Sequence, residues 1–154
     1  RPHLDIKEDE LARIFAVNFF AVTRLTRPYL QQMLEKKRGI IINMCSIASS
    51  LAGGGGHAYT SSKHALAGFT KQLALDYAKD KVQVFGIAPG AVQTGMTQKD
   101  FEPGGLADWV ADQTPIGRWT QPSEIAELTF MLASGKLASM QGQIITIDGG
   151  WSLK

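Results

Sequence analysis

Residues 39–45 read GIIINMC, and two further stretches of strand length and apolar character follow, VQVFGIA at 82–88 and QIITI at 143–147. A strand with one wet face alternates polar and apolar residues. These runs do not, so both of their faces must be covered, which is the property of a parallel sheet held between helices. The segments between them carry the helical period. Leu11, Ile14, Phe15, Val22, Leu25, Tyr29 and Met33 recur at three- and four-residue steps and predict a helical region over 7–37. Asp5 and Glu8 suit a capping box at its start, Pro28 a bend and Gly39 its stop. A second long helix is expected over 57–79, with a stripe at Leu66, Phe69, Leu73 and Tyr77. Ala67, Ala74, Leu75 and Ala78 lie off that stripe, so this helix is expected to bury a second face, against another subunit among the options.

Pro89-Gly90 ends the second strand, and a polar, glycine-containing segment runs on to about residue 104. GLADWVADQ reads as a short helix, and QPSEIAELTFMLAS as another with Pro122 in its first turn. The order helix, strand, helix, strand, helix, helix, strand is the rhythm of crossover units, and it predicts an α/β domain with parallel strands. Three strands make a poor sheet, and an edge as apolar as 40–44 invites aggregation unless it is paired. The missing strands are therefore expected from an N-terminal part outside these residues or from another chain.

The 154 residues are 44% hydrophobic and 19% charged, enough for one compact domain. Sixteen Lys and Arg against fourteen Asp and Glu leave +2, with the basic residues scattered, which argues against a nucleic-acid partner. A single cysteine, Cys45, permits no intrachain disulfide and suits a reducing compartment, so a cytoplasmic location is expected. Its place at the end of an apolar strand fits an inert small hydrophobe. No apolar run approaches the roughly 18 to 20 residues that cross a bilayer, and the charged opening RPHLDIKEDE does not look like a signal peptide, so no membrane role is expected.

Chemistry concentrates in SIASSLAGGGGHAYTSSK, residues 46–63. Tyr59 and Lys63 stand four apart, hence on one face of the expected helix. An unperturbed phenol has a pKa of about 10, and a neighbouring ammonium favours the phenolate, bringing proton transfer toward neutral pH. Tyr-x-x-x-Lys alone is a common accident. Ser46 lies thirteen residues earlier, just past a buried strand, where open parallel sheets bind ligands. Its hydroxyl can hold a substrate oxygen, and Gly53–Gly56 let the chain turn back over the cleft. A hydrolase reading from Ser46, His57 and His64 lacks the Gly-x-Ser-x-Gly elbow that exposes a nucleophile. His57 is expected at the cleft border or simply ahead of the helix, His64 on its surface, and Trp109 against substrate or core.

Five motifs now stand in one order: Asn18 in VNFF, NMCS ending a strand, Tyr59-Thr-Ser-Ser-Lys63, PGAVQTGM at 89–96, and GQIITIDGG near the C-terminus. Together they resemble the C-terminal portion of a classical short-chain dehydrogenase/reductase. The resemblance implies a Rossmann-like doubly wound sheet, of which residues 1–154 are the C-terminal catalytic part. It makes Tyr59 the general acid or base and Lys63 the residue that tunes it and binds the nicotinamide ribose. Ser46 would hold the substrate oxygen. Asn18, in a locally disturbed helix, would hold a water that links Lys63 to solvent. Pro89 and Gly90 would form the turn beneath the nicotinamide. The Val92 amide would bind the carboxamide, and Thr94 would lie near the pyrophosphate. A plain strand-ending turn remains the alternative for these last four, a structural turn is favoured for Asp148-Gly149-Gly150, and no metal is implied.

The cofactor expected by this likeness is NADP or NAD, the substrate a small carbonyl or alcohol compound, and the assembly a homo-oligomer, dimer or tetramer. The family's glycine-rich phosphate turn is not found in these residues. The expected function is hydride transfer between carbonyl and alcohol, with 3-oxoacyl thioesters and sugars or polyols both compatible as substrates. The alternative is a non-catalytic remnant that serves only assembly.

Overall fold

The structure, a computed structural model, describes residues 2–154. Its elements run α1 (Glu8–Phe15), a π-helical turn (Ala16–Phe20), α2 (Ala21–Lys36), β1 (Gly39–Met44), α3 (Gly56–Tyr77), β2 (Val82–Pro89), α4 (Ala107–Gln113), α5 (Pro122–Ala133) and β3 (Ile144–Ile147). The three strands are parallel in the order β1-β2-β3, with Ile41 beside Val84 and Ile87 beside Ile145. This is the expected α/β arrangement.

The central strand explains the unbroken apolar runs. Val82 and Val84 pack on one face with Leu30, Leu73 and Ala74 of α2 and α3, while Phe85 and Ile87 pack on the other with Leu132 of α5. Alternate residues of β2 thus meet opposite helical layers, which is why neither parity is polar. Gln141 joins the layers: it accepts from the Val84 amide at 2.9 Å and donates to the carbonyls of Ala74 at 2.9 Å and Val82 at 3.0 Å.

Several local expectations are corrected. Asp5 belongs to a separate turn, His3–Asp5, and the chain is extended at Lys7, so the N-cap of α1 is Lys7 with no side-chain cap and the Asp5–Glu8 box does not form. Pro28 lies inside α2, and the change of helical winding falls at Ala16–Phe20 instead. Lys37, left-handed at φ 49°, ends α2, its amide bonded to the Leu34 carbonyl and that of Arg38 to the Met33 carbonyl. Gly39 opens β1, where a Cβ would stand 2.3 Å from Met33 Cγ; it permits close packing rather than stopping the helix. Of the residues off the stripe, Ala67 and Ala74 are buried within the chain itself, while Leu75 and Ala78 are exposed.

The segment after β2, expected to be irregular, contains a 3₁₀ run at Gly95–Phe101. Thr94 accepts from the Met96 amide, and Thr97 accepts from the Thr94 amide. The Thr-x-x-Thr spacing carried that signal.

Candidate active site

The C-terminal ends of β1 and β2 and the first turns of α3 meet at one end of the sheet. Lys63 ties two of them together, its Nζ donating to the Met44 carbonyl at 2.9 Å. The same nitrogen lies 5.7 Å from the centre of the Tyr59 ring, so the i,i+4 pair is side by side as the spacing required. Burial lowers the pKa of the Lys63 amine from its ordinary value, and the field of Cys45 opposes that effect. Burial pushes the Cys45 thiol the other way, upward, keeping it protonated and inert.

Ser46 follows β1 in an extended conformation and is 8% exposed. Its Oγ accepts from the Ala48 amide at 3.1 Å, and its own amide donates to Ser49 Oγ at 3.2 Å. This reciprocal cap fixes the serine while leaving its hydroxyl hydrogen for another acceptor. Asn18 sits in the π-helical turn, the local disturbance expected around it, and its Nδ2 donates to Ser62 Oγ at 3.1 Å. Ser62 Oγ in turn donates to the Tyr59 carbonyl at 2.8 Å.

The glycine run has a particular geometry. Gly53, Gly55 and Gly56 take positive φ, and a Cβ on Gly55 would stand 2.6 Å from Tyr59 Cδ1. The backbone therefore lies against the Tyr59 ring as only glycine allows. That contact was missed from the sequence, where the run reads simply as pliable. His57 is exposed and packs edge-on against His3 at 4.6 Å, while His64 is exposed and its ring Nδ1 bonds the Thr60 carbonyl. Trp109 stays 55% exposed and meets Trp151 edge-on.

After β2, Val92 bridges Thr120: Thr120 N donates to the Ala91 carbonyl and Gln93 N to the Thr120 carbonyl. In such a parallel bridge the Val92 N–H and C=O face the opposite side, and its carbonyl there accepts from Thr97 Oγ1. An amide directed away from the bridge suits a carboxamide. Thr94 spends a lone pair on its cap and keeps a hydroxyl hydrogen. Gly90, following Pro89, permits a close approach, and the group that approaches is within this chain: a Cβ there would meet Asp148 Cβ at 2.8 Å. Asp148 is itself a staple, its carboxylate accepting from the amides of Gly150 and Ser152 at 2.9 Å each. No set of three or more His, Cys, Asp or Glu placed to hold a metal occurs among the described residues, and no helix of theirs is long and apolar enough to cross a membrane.

Comparison with known proteins agrees with this fold. A family model described as enoyl-(acyl carrier protein) reductase matches residues 1–152. Gluconate 5-dehydrogenase of Gluconobacter oxydans is 34% identical over 137 residues, covering 89% of this chain and 54% of the relative. The 2-keto-3-deoxy-L-fuconate dehydrogenase of Xanthomonas campestris is 39% identical, covering 97% and 52%. The chain thus spans about half the length of these relatives. Among solved structures, a gluconate 5-dehydrogenase from Burkholderia cenocepacia in complex with NADP and tartrate superimposes with a TM-score of 0.94 at 29% identity, over 100% of this chain and 60% of that one. A 4-hydroxyisoleucine dehydrogenase complexed with NADH gives 0.93 at 30%, over 99% and 63%. A family model that matches nearly the whole chain, together with relatives more than 30% identical over most of it, shows that the chain belongs to the short-chain dehydrogenase/reductase family.

Proposed function

We propose that these residues form the catalytic part of an NAD(P)-dependent oxidoreductase that interconverts an alcohol and a carbonyl compound, with hydroxy acids of the gluconate type as its substrate class. The observation that carries the reading is the Lys63 amine, bonded to the Met44 carbonyl at the end of β1 and lying beside the Tyr59 ring. The substrate class rests on the relatives, several of which are named for gluconate or keto-deoxy sugar acids. Those names move the expectation away from 3-oxoacyl thioesters.

In the proposed mechanism the Ser46 hydroxyl donates to the substrate oxygen and orients it. Tyr59 gives that oxygen a proton in reduction and takes it back in oxidation. Lys63 stabilises negative charge developing on the phenol oxygen, and Asn18 serves a water-borne path from the lysine to solvent. A bound nicotinamide, of NADP or NAD, would donate the hydride in its reduced form during reduction and accept it in its oxidised form during oxidation. Lys63, the Val92 amide and Thr94 are the residues that would hold it, with Pro89 and Gly90 shaping the turn below. The phosphate and adenosine end is assigned to a dinucleotide-binding half outside residues 1–154. The working unit is a homo-oligomer.

The test is an intact-mass measurement on the natural protein, titration with NADH and NADPH, and turnover on a panel of sugar acids, polyols and cyclic alcohols. Tyr59→Phe is expected to lower kcat by about 10² to 10⁴ while cofactor affinity changes little. Turnover that survives this change refutes the mechanism, and a natural polypeptide of 16.7 kDa that binds neither cofactor favours the assembly-only alternative.

A further inference from the structure

We propose that Ser62 is a positioning residue, whose buried hydroxyl ties the Asn18 amide of the π-helical turn to the Tyr59 carbonyl and so sets where Tyr59 and Lys63 stand; the proposal rests on the oxidoreductase reading above.

Ser62 is 0% exposed. Packing alone does not ask for a hydroxyl there, since Ala58, Ala67 and Ala74 fill other buried positions of the same helix. A hydroxyl in such a place is costly unless bonded. A helical serine commonly satisfies itself by bonding back to its own helix and goes no further. Ser62 does this toward Tyr59 at 2.8 Å, then also accepts from Asn18 Nδ2 at 3.1 Å, from a residue 44 positions away. The chain N–H···O–H···O=C is complete and directional, because the single hydroxyl hydrogen is already given to Tyr59.

The same device recurs eight residues along α3, about 80° further round the helix. Thr70, also 0% exposed, donates to the Leu66 carbonyl at 2.8 Å and accepts from Asn43 Nδ2 at 3.0 Å. Two asparagines, one in the π-helical turn and one in β1, therefore pin α3 at two heights. Only the upper pin ends on the carbonyl of Tyr59. π-Helical turns cluster at functional sites, and here the turn presents Asn18 to that pin. A misplacement of about 1 Å in a reacting group can cost on the order of 10²-fold in rate. The upper pin is accordingly a catalytic alignment device, and the lower one is its structural counterpart.

The test compares Ser62→Ala, Asn18→Ala, the double variant, Ser62→Thr and Thr70→Val in the full-length natural enzyme. Ser62→Ala and Asn18→Ala are each expected to lower kcat about tenfold with KM changed less than twofold. The double variant should be no worse than either single one, and Ser62→Thr should recover part of the loss. Thr70→Val should lower the urea midpoint and leave kcat intact. Without cofactor, slow solvent exchange of the Asn18 side-chain amide protons should be lost in Ser62→Ala. A wild-type kcat in Ser62→Ala, multiplying losses in the double variant, an equal kcat loss in Thr70→Val, or unchanged Asn18 exchange each overturns the assignment alone. Turnover surviving Tyr59→Phe instead overturns the parent reading, and this proposal with it.

Discussion

At the scale of single residues, Lys63 carries two contacts that a substitution can separate. Its amine bonds the Met44 carbonyl and lies beside the Tyr59 ring. Lys63→Met removes both and is expected to lower kcat at least 100-fold. Lys63→Arg should not restore it, because a planar, longer guanidinium cannot reach both places as a compact ammonium does. Steady-state kcat for both variants, with circular dichroism to confirm folding, checks this. Gly55→Ala places a Cβ 2.6 Å from Tyr59 Cδ1 at a φ of 102°, so it is expected to displace the ring. Its kcat should fall about tenfold and its Tm by a few degrees. The Tyr59–Lys63 pair was legible because side chains four apart on a helix must be neighbours. The Met44 partner was not, since it depends on how α3 meets β1 and no local spacing encodes that meeting; the reason for Gly55 was not either, since its contact with the Tyr59 ring arises from the left-handed turn that opens α3.

At the scale of elements, Gln141 substitutes for a stretch of ladder between α3, β2 and the approach to β3. Gln141→Ala leaves the Val84 amide and the Ala74 and Val82 carbonyls without that partner. A loss of roughly 2–3 kcal/mol is expected from urea unfolding, the size of unsatisfied, partly buried backbone groups. The N-terminus of α5 adds a pH dependence. Glu124 takes both guanidinium nitrogens of Arg118, at 2.9 and 3.0 Å, and caps the Gln121 amide. The Arg118 bonds, with the Gln121 cap, hold its carboxyl at about 2 against an ordinary 4.5. A depressed carboxyl stabilises above the unfolded value and loses that contribution as pH falls toward the folded one. The urea midpoint of the wild type should therefore exceed that of Glu124→Gln at pH 6 and converge on it between pH 4.5 and about 2. The difference should be small, because the pair is solvated. The three strands and α3 to α5 were readable from period and run length. Pro28 and Gly39 misled because their usual meanings were overridden: α2 carries its proline, and Met33 demands the glycine.

At the scale of the molecule, the sheet is covered on both faces but not along β1. Ile40 and Ile41 there remain half-buried, and with Val22, Leu25 and Tyr29 of the neighbouring helix they line an open groove of about 270 Å³. Leu25 and Tyr29 are 64% and 60% exposed. Apolar side chains beside an unpaired strand edge are the combination that recruits another chain. An N-terminal part outside these residues or another chain would pair this edge, and when residues 1–154 stand alone only another chain can do so. The 154-residue polypeptide is accordingly expected to sediment at a multiple of 16.7 kDa at micromolar concentration. Leu25→Glu with Tyr29→Glu should return it to the single-chain mass with its circular dichroism unchanged, since neither side chain is part of the packed core. A 154-residue polypeptide that sediments as a monomer at 100 µM would mean that the β1 edge, apolar as it is, recruits no copy of itself. A double variant that still associates would place the contact elsewhere, with Leu75 and the exposed Phe130 and Met131 of α5 as the next residues to charge.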